Sequence, residues 1–347
     1  MQPINNDNQI VIDGSIGGGS VLRVGVPLAI ALNKPIHVYN IRQHRQKKGL
    51  RTQHLTGLQL LCQLTGSVLE GGSIGSSQIK VYPHQIFVPD KQHPMIQLPT
   101  SAAVSLIIQT ISNYVFVSGK PIGFDFVGGG SHVNWSPNFD ILMGVNKPLF
   151  EMFGLKMHIQ LMKPGFYPEG GSMGRIYLEP TAKSKVILES GKVTEIEVIS
   201  NASNHFRNDK VAERQIAGFK SIIPEVTKEL VGYADSVSMG SACSAIIRYE
   251  TGTIKGVARI GQEGLKPEDI GRRTAKAANV EIANKGSLDE QLADQLLLPL
   301  AFLPSGSQYS FERMFPHIDA NFKVVQHILG NVLKIWKENE VFYVEKI

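Results

Sequence analysis

Only two of the 347 residues are cysteine, Cys62 and Cys243, too few and too far apart for a disulfide scaffold. Cys62 falls in the apolar pattern LTGLQLLCQL, so both are expected to be buried thiols of a reducing compartment. Long apolar runs are also missing: AVSLII and LLLPLAFLP fall far short of the roughly 20 residues that cross a bilayer. The opening MQPINNDNQ has neither the basic start nor the apolar core of a secretory leader. These absences point to a cytoplasmic protein with no membrane partner. Neither sign of charge dominates: 35 Lys and Arg against 30 Asp and Glu leave a net +5, an excess that suits an anionic ligand without naming one.

What is present is an ordinary globular composition, 42% hydrophobic and 19% charged, with 34 glycines that imply many tight turns. At about 150 residues per domain, the length fits two domains or one large domain with an insertion. Periodicity predicts a strand over 9–14, a buried helix over 21–32, a strand IHVYNIR over 36–42 and an amphipathic helix over 52–64 carrying Leu55, Leu58, Leu61 and Cys62. EGGSIG at 70–75 recurs as EGGSMG at 169–174, and DFVGGGSH at 125–132 is a candidate third relative. Shared turn chemistry and a reused sheet-and-helix unit both remain open. The texture changes near 183, giving an expected inserted α/β domain over 183–261 within a large domain of 9–182 and 262–347. Helices at 267–284 and 287–303 are assigned to the large domain, and a helix with Val324, Val325 and Ile328 precedes the last strand, VFYVEK.

Chemistry concentrates in four places. In IRQHRQKKGLRTQH (41–54), Arg42, Arg45, Lys47, Lys48 and Arg51 crowd onto a loop leading into a helix, where guanidinium forks and free N–H groups both suit phosphate. A solvated charged loop is the competing reading, and Gln53 and His54 at the helix start favour a site. DGSIGGGSVLR (13–23) holds Gly17, Gly18 and Gly19 but fails the phosphate-loop and dinucleotide patterns; Arg23, one helical turn on, can return to an anion at the helix end. In LDEQLADQ, Gln291, Asp294 and Gln295 share one helical face, either an exposed polar stripe or a site. His317 follows a proline at a helix start, where the positive helix end keeps an imidazole neutral and so able to act as nucleophile or base.

Taken together, DGS with its glycine triplet and VLR, IR followed by GLRTQHL, GGS followed by SPNFD, GFYPEGG, LADQLLLP and the histidine before the final helix resemble the RNA 3′-terminal phosphate cyclase family along nearly the whole chain. The resemblance implies an α+β fold: a large domain of repeated units, each a four-stranded sheet with two helices, plus a small inserted α/β domain. It implies ATP-dependent conversion of RNA 3′-phosphate ends to 2′,3′-cyclic phosphates, with AMP and diphosphate released. His317 would be the nucleophile that takes up AMP. Arg23, Arg42, Arg45 and Gln53 match residues around the phosphates, Pro137 a position packing on adenine, and Gln109, Asp294 and Gln295 polar positions near the nucleotide.

The departures are specific. Family members usually carry a glutamate, associated with a divalent metal, directly before the glycine triplet; this chain is two residues shorter there and has Ile16. That leaves Asp13 or Asp294 as carboxylates for magnesium or manganese, or the ATP phosphates as its chief holders. Gln291 stands where an aromatic residue commonly faces adenine, and PTSAAVS precedes Gln109 where more glycine is usual. The alternative reading is a cyclase-like RNA-binding or ribosome-assembly protein without cyclisation; a third is a different enzyme on a related architecture, such as an enolpyruvyl transferase.

Overall fold

Short β-branched runs alternate with apolar helices, and the computed structural model, which describes residues 9–83 and 93–347, folds them into repeated units of one plan. The first unit runs β1 (Ile10–Asp13), α1 (Ser20–Ala31), β2 (Ile36–Tyr39), α2 (Thr52–Thr65), β3 (Val68–Glu70) and β4 (Ile79–Tyr82), in the spatial order β1-β2-β4-β3. Parallel pairing of β1 with β2 demands a crossover, which α1 supplies, and β4 runs antiparallel to both neighbours. β2 ends three residues before the predicted 42 because Asn40 and Arg42 take left-handed backbone angles, φ 53° and 55°, which no strand accommodates.

The second unit repeats the plan with β5 (Met95–Ala103), α3 (Val104–Ser118), β6 (Ile122–Gly130), α4 (Phe139–Ile141), a π turn (Leu142–Asn146), α5 (Lys147–Met152), β7 (Leu155–Lys163) and β8 (Met173–Pro180), in the order β5-β6-β8-β7. EGGSIG and EGGSMG both lie in the link from third to fourth strand, so their echo marks the reused unit. DFVGGGSH is not a third relative: it ends β6, a second strand, where the first unit carries its basic loop.

An inserted sheet follows, with β9 (Val193–Ser203), α6 (Val211–Lys220), β10 (Lys228–Ala234), β11 (Ser241–Tyr249), β12 (Ile254–Ile260) and α7 (Pro267–Ala283), in the order β10-β9-β11-β12. Then α8 (Glu290–Leu300), β13 (Gln308–Phe311), α9 (Pro316–Leu329), β14 (Leu333–Glu338) and β15 (Val341–Lys346) form a third sheet-and-helix unit, ordered β13-β15-β14. Its first strand is reduced to one parallel bridge, Ile187 to Gln308, so the insertion sits between that strand and its crossover helix. α7, read from the sequence as part of the large domain, packs instead with the inserted sheet: Ile270, Ala275 and Ala278 share a core with Ile196, Val198 and Phe219. A methyl group on Gly271 would lie 1.9 Å from the Gln215 carbonyl oxygen, so α6 and α7 meet backbone to backbone. Helical period identifies a helix; it does not say which sheet the helix covers.

The large core runs through all three sheet-and-helix units, with α1 packed between α3 and α9. The N-termini of α1 and α9 therefore approach each other. No helix of the described residues is long and apolar enough to cross a membrane.

Candidate active site

Three glycines in a row allow a chain to pass where no β-carbon fits, and each of these is closely confronted. A methyl group on Gly17 would lie 2.7 Å from Ala320 Cβ, one on Gly18 3.2 Å from His317 Cε1 and 3.5 Å from Arg45 Nη2, and one on Gly19 1.9 Å from His54 Nε2. The triplet is thus the floor on which the two histidines and Arg45 rest. Pro316 occupies the first position of α9, where its missing N–H costs nothing, and presents His317 on the next residue. Ser20, the first residue of α1, lies 3.2 Å from His317 through Oγ and Nδ1. Burial, then the charges of Arg23 and Arg45, lowers the His317 pKa from its ordinary value, so the half-buried ring is neutral at pH 7.

Around it the field is positive. Arg23 donates through Nε to Gln109 Oε1 at 3.0 Å, while Asn113 donates to the Arg23 carbonyl at 2.8 Å, fixing the start of α1 against α3. Burial lowers the Arg23 pKa and Asp294 opposes the shift. His54 is buried, 5% exposed, and burial together with Arg23, Arg42 and Arg51 takes its pKa down to about 3. Arg42 donates to the Lys47 carbonyl at 3.4 Å, and its Nε is buried without a hydrogen-bond partner. His54 Nδ1, Asn113 Oδ1, Asn146 Oδ1 and Asn321 Oδ1 are likewise buried and unpartnered among the described residues. Orphan polar atoms are rare in folded proteins, and most of those among the described residues lie in this group, as expected of a polar ligand site.

The structure thus brings together Gly17, Gly18, Gly19, Arg23, Arg42, Arg45, Gln109, Asp294 and His317. Gln295 joins through Asn146, which donates to its Oε1 at 2.7 Å. Gln53 lies half-buried in the first turn of α2, Gln291 is exposed at the start of α8, and Pro137 sits in the loop after β6; none makes a side-chain hydrogen bond to the group among the described residues. Three contributors go unread in the sequence. Asn321 and Asn113 lie four residues after His317 and Gln109 and so share their helix faces, a spacing that could have flagged both. Ser20 follows the triplet directly, with no signal beyond adjacency.

Asp294 accepts a hydrogen bond from Asn321 Nδ2, and its pKa is raised to about 6 by burial, against the pull of Arg23 and Asn321. A carboxyl whose folded pKa exceeds its unfolded one favours the folded state below the unfolded pKa, and that contribution is lost as pH rises through the folded one. Between about pH 4 and 6, wild type is expected to lose stability relative to Asp294→Asn as pH rises, read by urea unfolding at each pH. Parallel pH profiles for the two proteins would contradict this. Asp13 is held below the carboxylate norm; burial opposes the shift, and its bonds from Ser15 and Asn40 drive it. Its Oδ1 accepts from Ser15 N–H at 2.9 Å. Among the described residues no three His, Cys, Asp or Glu side chains converge as a metal cage.

Residues 15–335 match the family described as RNA 3′-terminal phosphate cyclase. The RNA 3′-terminal phosphate cyclase of Thermococcus onnurineus is 31% identical over 345 residues, covering 96% of this chain and 97% of its own. That of Koribacter versatilis is 30% identical, covering 95% and 93%, and that of Pyrobaculum neutrophilum 28%, covering 96% and 97%. With nearly the whole of both chains matched and the family match spanning the glycine triplet, the basic loop and His317, this chain belongs to the RNA 3′-terminal phosphate cyclase family.

Proposed function

We propose that this protein converts an RNA 3′-terminal phosphate to a 2′,3′-cyclic phosphate at the expense of ATP, as a ligase-type nucleotidyl transferase. The observation that carries the reading is a neutral imidazole, His317, seated on Gly18 beside Arg45, with Ser20 on its Nδ1. With the Nδ1 hydrogen donated to Ser20 Oγ, the lone pair stands on Nε2, free to attack the α-phosphorus of ATP and release diphosphate. AMP then passes from His317 to the terminal phosphate, giving a phosphoanhydride. The neighbouring 2′-hydroxyl attacks the terminal phosphorus and AMP departs, closing the ring.

Arg23, Arg42 and Arg45 neutralise phosphate charge in both substrates, and preorganised charges of this kind favour a transition state in which negative charge is redistributed. Gln109 and Asn113 hold Arg23 rather than react. Gln53, Asp294 and Gln295 serve the nucleotide, and Pro137 packs on adenine. Gln291 replaces the aromatic partner on the other side. Magnesium or manganese enters with the ATP phosphates rather than in a protein cage. The test is incubation of a 3′-phosphorylated RNA with ATP and either metal, followed by phosphatase. A terminal phosphate that becomes phosphatase-resistant only when ATP is present supports the reading; one that stays fully removable sinks it.

A further inference from the structure

Four large apolar side chains stand exposed on three neighbouring segments: Trp135 at 96%, Tyr167 at 71%, Met239 at 60% and Val237 at 51%. The segments are tied together. The Ser131 and His132 N–H groups both donate to the Gly165 carbonyl at 3.0 Å, and Glu169 N–H donates to Ser238 Oγ at 3.1 Å. Methyl groups on Gly171 and Gly240 would each lie 2.4 Å from a carbon of Val237 and of Phe166. Single exposed apolar residues are ordinary, whereas a set gathered by three bonded segments marks a surface that meets something.

Trp135 adds a second observation. Its backbone sits at φ 67°, a region unfavourable for a bulky side chain, and the indole gains no burial in return. The loop is nevertheless held at its far end: Asp140 accepts from Asn201 Nδ2 at 2.7 Å and from Ser244 Oγ at 2.9 Å, locking the segment onto the inserted domain. A costly backbone kept rigid around an exposed ring is preorganised for a ligand.

The position says which ligand. This loop leaves β6 as the basic loop leaves β2, so both lie at the C-terminal ends of their unit's parallel strand pair, where sheets of this kind take ligands. The π turn that follows it carries Asn146, bonded to Gln295 next to Asp294. Trp135 is flanked in its loop by Asn134 and Ser136, and Glu169 follows Tyr167 by two residues, so polar groups stand beside both rings.

We propose that Trp135 and Tyr167 form a stacking platform for the unpaired bases of the RNA strand leading to its 3′-terminal phosphate. The proposal rests on the cyclase reading for its ligand. Aromatic faces take any base, so the platform holds single-stranded RNA without selecting sequence.

The chain has two tryptophans, so Trp336→Phe leaves Trp135 as the only indole for fluorescence titration with a 3′-phosphorylated single-stranded RNA. The RNA is expected to quench it, and the same RNA made abasic near its 3′ end to quench far less. Trp135→Ala and Tyr167→Ala, both surface changes, are expected to weaken RNA binding about 10- to 100-fold while self-labelling with ATP is unchanged, and Trp135→Phe to restore most of the binding. Unchanged RNA affinity in both alanine variants, or equal quenching by abasic RNA, overturns the platform. So does self-association that Trp135→Ala abolishes, which assigns the patch to a second copy of the chain. Base-dependent quenching by a protein that never labels itself with ATP would leave the platform standing and remove the cyclase reading instead.

Discussion

Alanine at His317 is expected to lower cyclisation by on the order of 10⁴-fold or more while leaving the thermal midpoint unchanged, since loss of a covalent nucleophile removes the route rather than a contact. The fold has little stake in this side chain. It is half-buried, and its hydrogen-bond partner Ser20 can turn elsewhere. Asparagine at the same position is expected to be as inactive, because it keeps polarity and supplies no nucleophilic nitrogen. The check is steady-state turnover of phosphorylated RNA beside a melting curve for each variant. Turnover within tenfold of wild type in either variant would remove His317 from the chemistry.

Gly19→Ala is the second large effect. Its β-carbon would sit 1.9 Å from His54 Nε2 and 2.2 Å from His54 Cδ2, and the ring is buried, with the charges of Arg23, Arg42 and Arg51 acting on it. The triplet, the ring or the start of α2 has to move. Overpacking of this kind typically costs about 1–3 kcal/mol of stability, and an ångström-scale shift at reacting groups costs roughly 10²-fold in rate. The diagnostic is a double variant. Adding His54→Ala makes room for the new methyl group, so Gly19→Ala with His54→Ala is expected to be more stable than the sum of the two single changes allows. Strict additivity would mean that the close approach of triplet and His54 is not what the glycine serves.

Several of the residues that the fold brings together stand out in the sequence. Arginines packed into a short loop beside a helix start, and a histidine after a helix-starting proline, are signals that chemistry writes locally. The recurrence of EGGSIG left turn chemistry and a reused unit equally open, and the matching strand orders of the first two units decide for the reused unit. The third unit was harder to see: its first strand is a single bridge at Ile187, with the whole inserted domain between that strand and α8. Long-range packing was not legible either. The amphipathic pattern of α7 is the same whether it covers the large sheets or the small one, and its shared core with the inserted sheet and its backbone contact with α6 decide. The same limit hid Ser20, an ordinary polar residue whose role exists only once the N-terminal turns of α1 and α9 lie side by side.

Ile16 and Gln291, the family departures, now have a structural setting. The 3₁₀ turn Gly14–Ile16 is capped by Asp13 through Ser15 N–H, so Asp13 is tied into the turn that opens the shortened loop. Gln291 is exposed at the first turn of α8, and its side chain makes no hydrogen bond to the other site residues among the described residues.

The most direct measurement is incubation of the protein with ATP labelled at the α-phosphate and magnesium or manganese, followed by denaturing electrophoresis. The expected result is label covalently held by the protein, lost in acid, stable in alkali and absent from His317→Ala, the behaviour of a phosphorus–nitrogen bond to an imidazole. Label that survives in His317→Ala, or none in a preparation that cyclises RNA, would contradict the account.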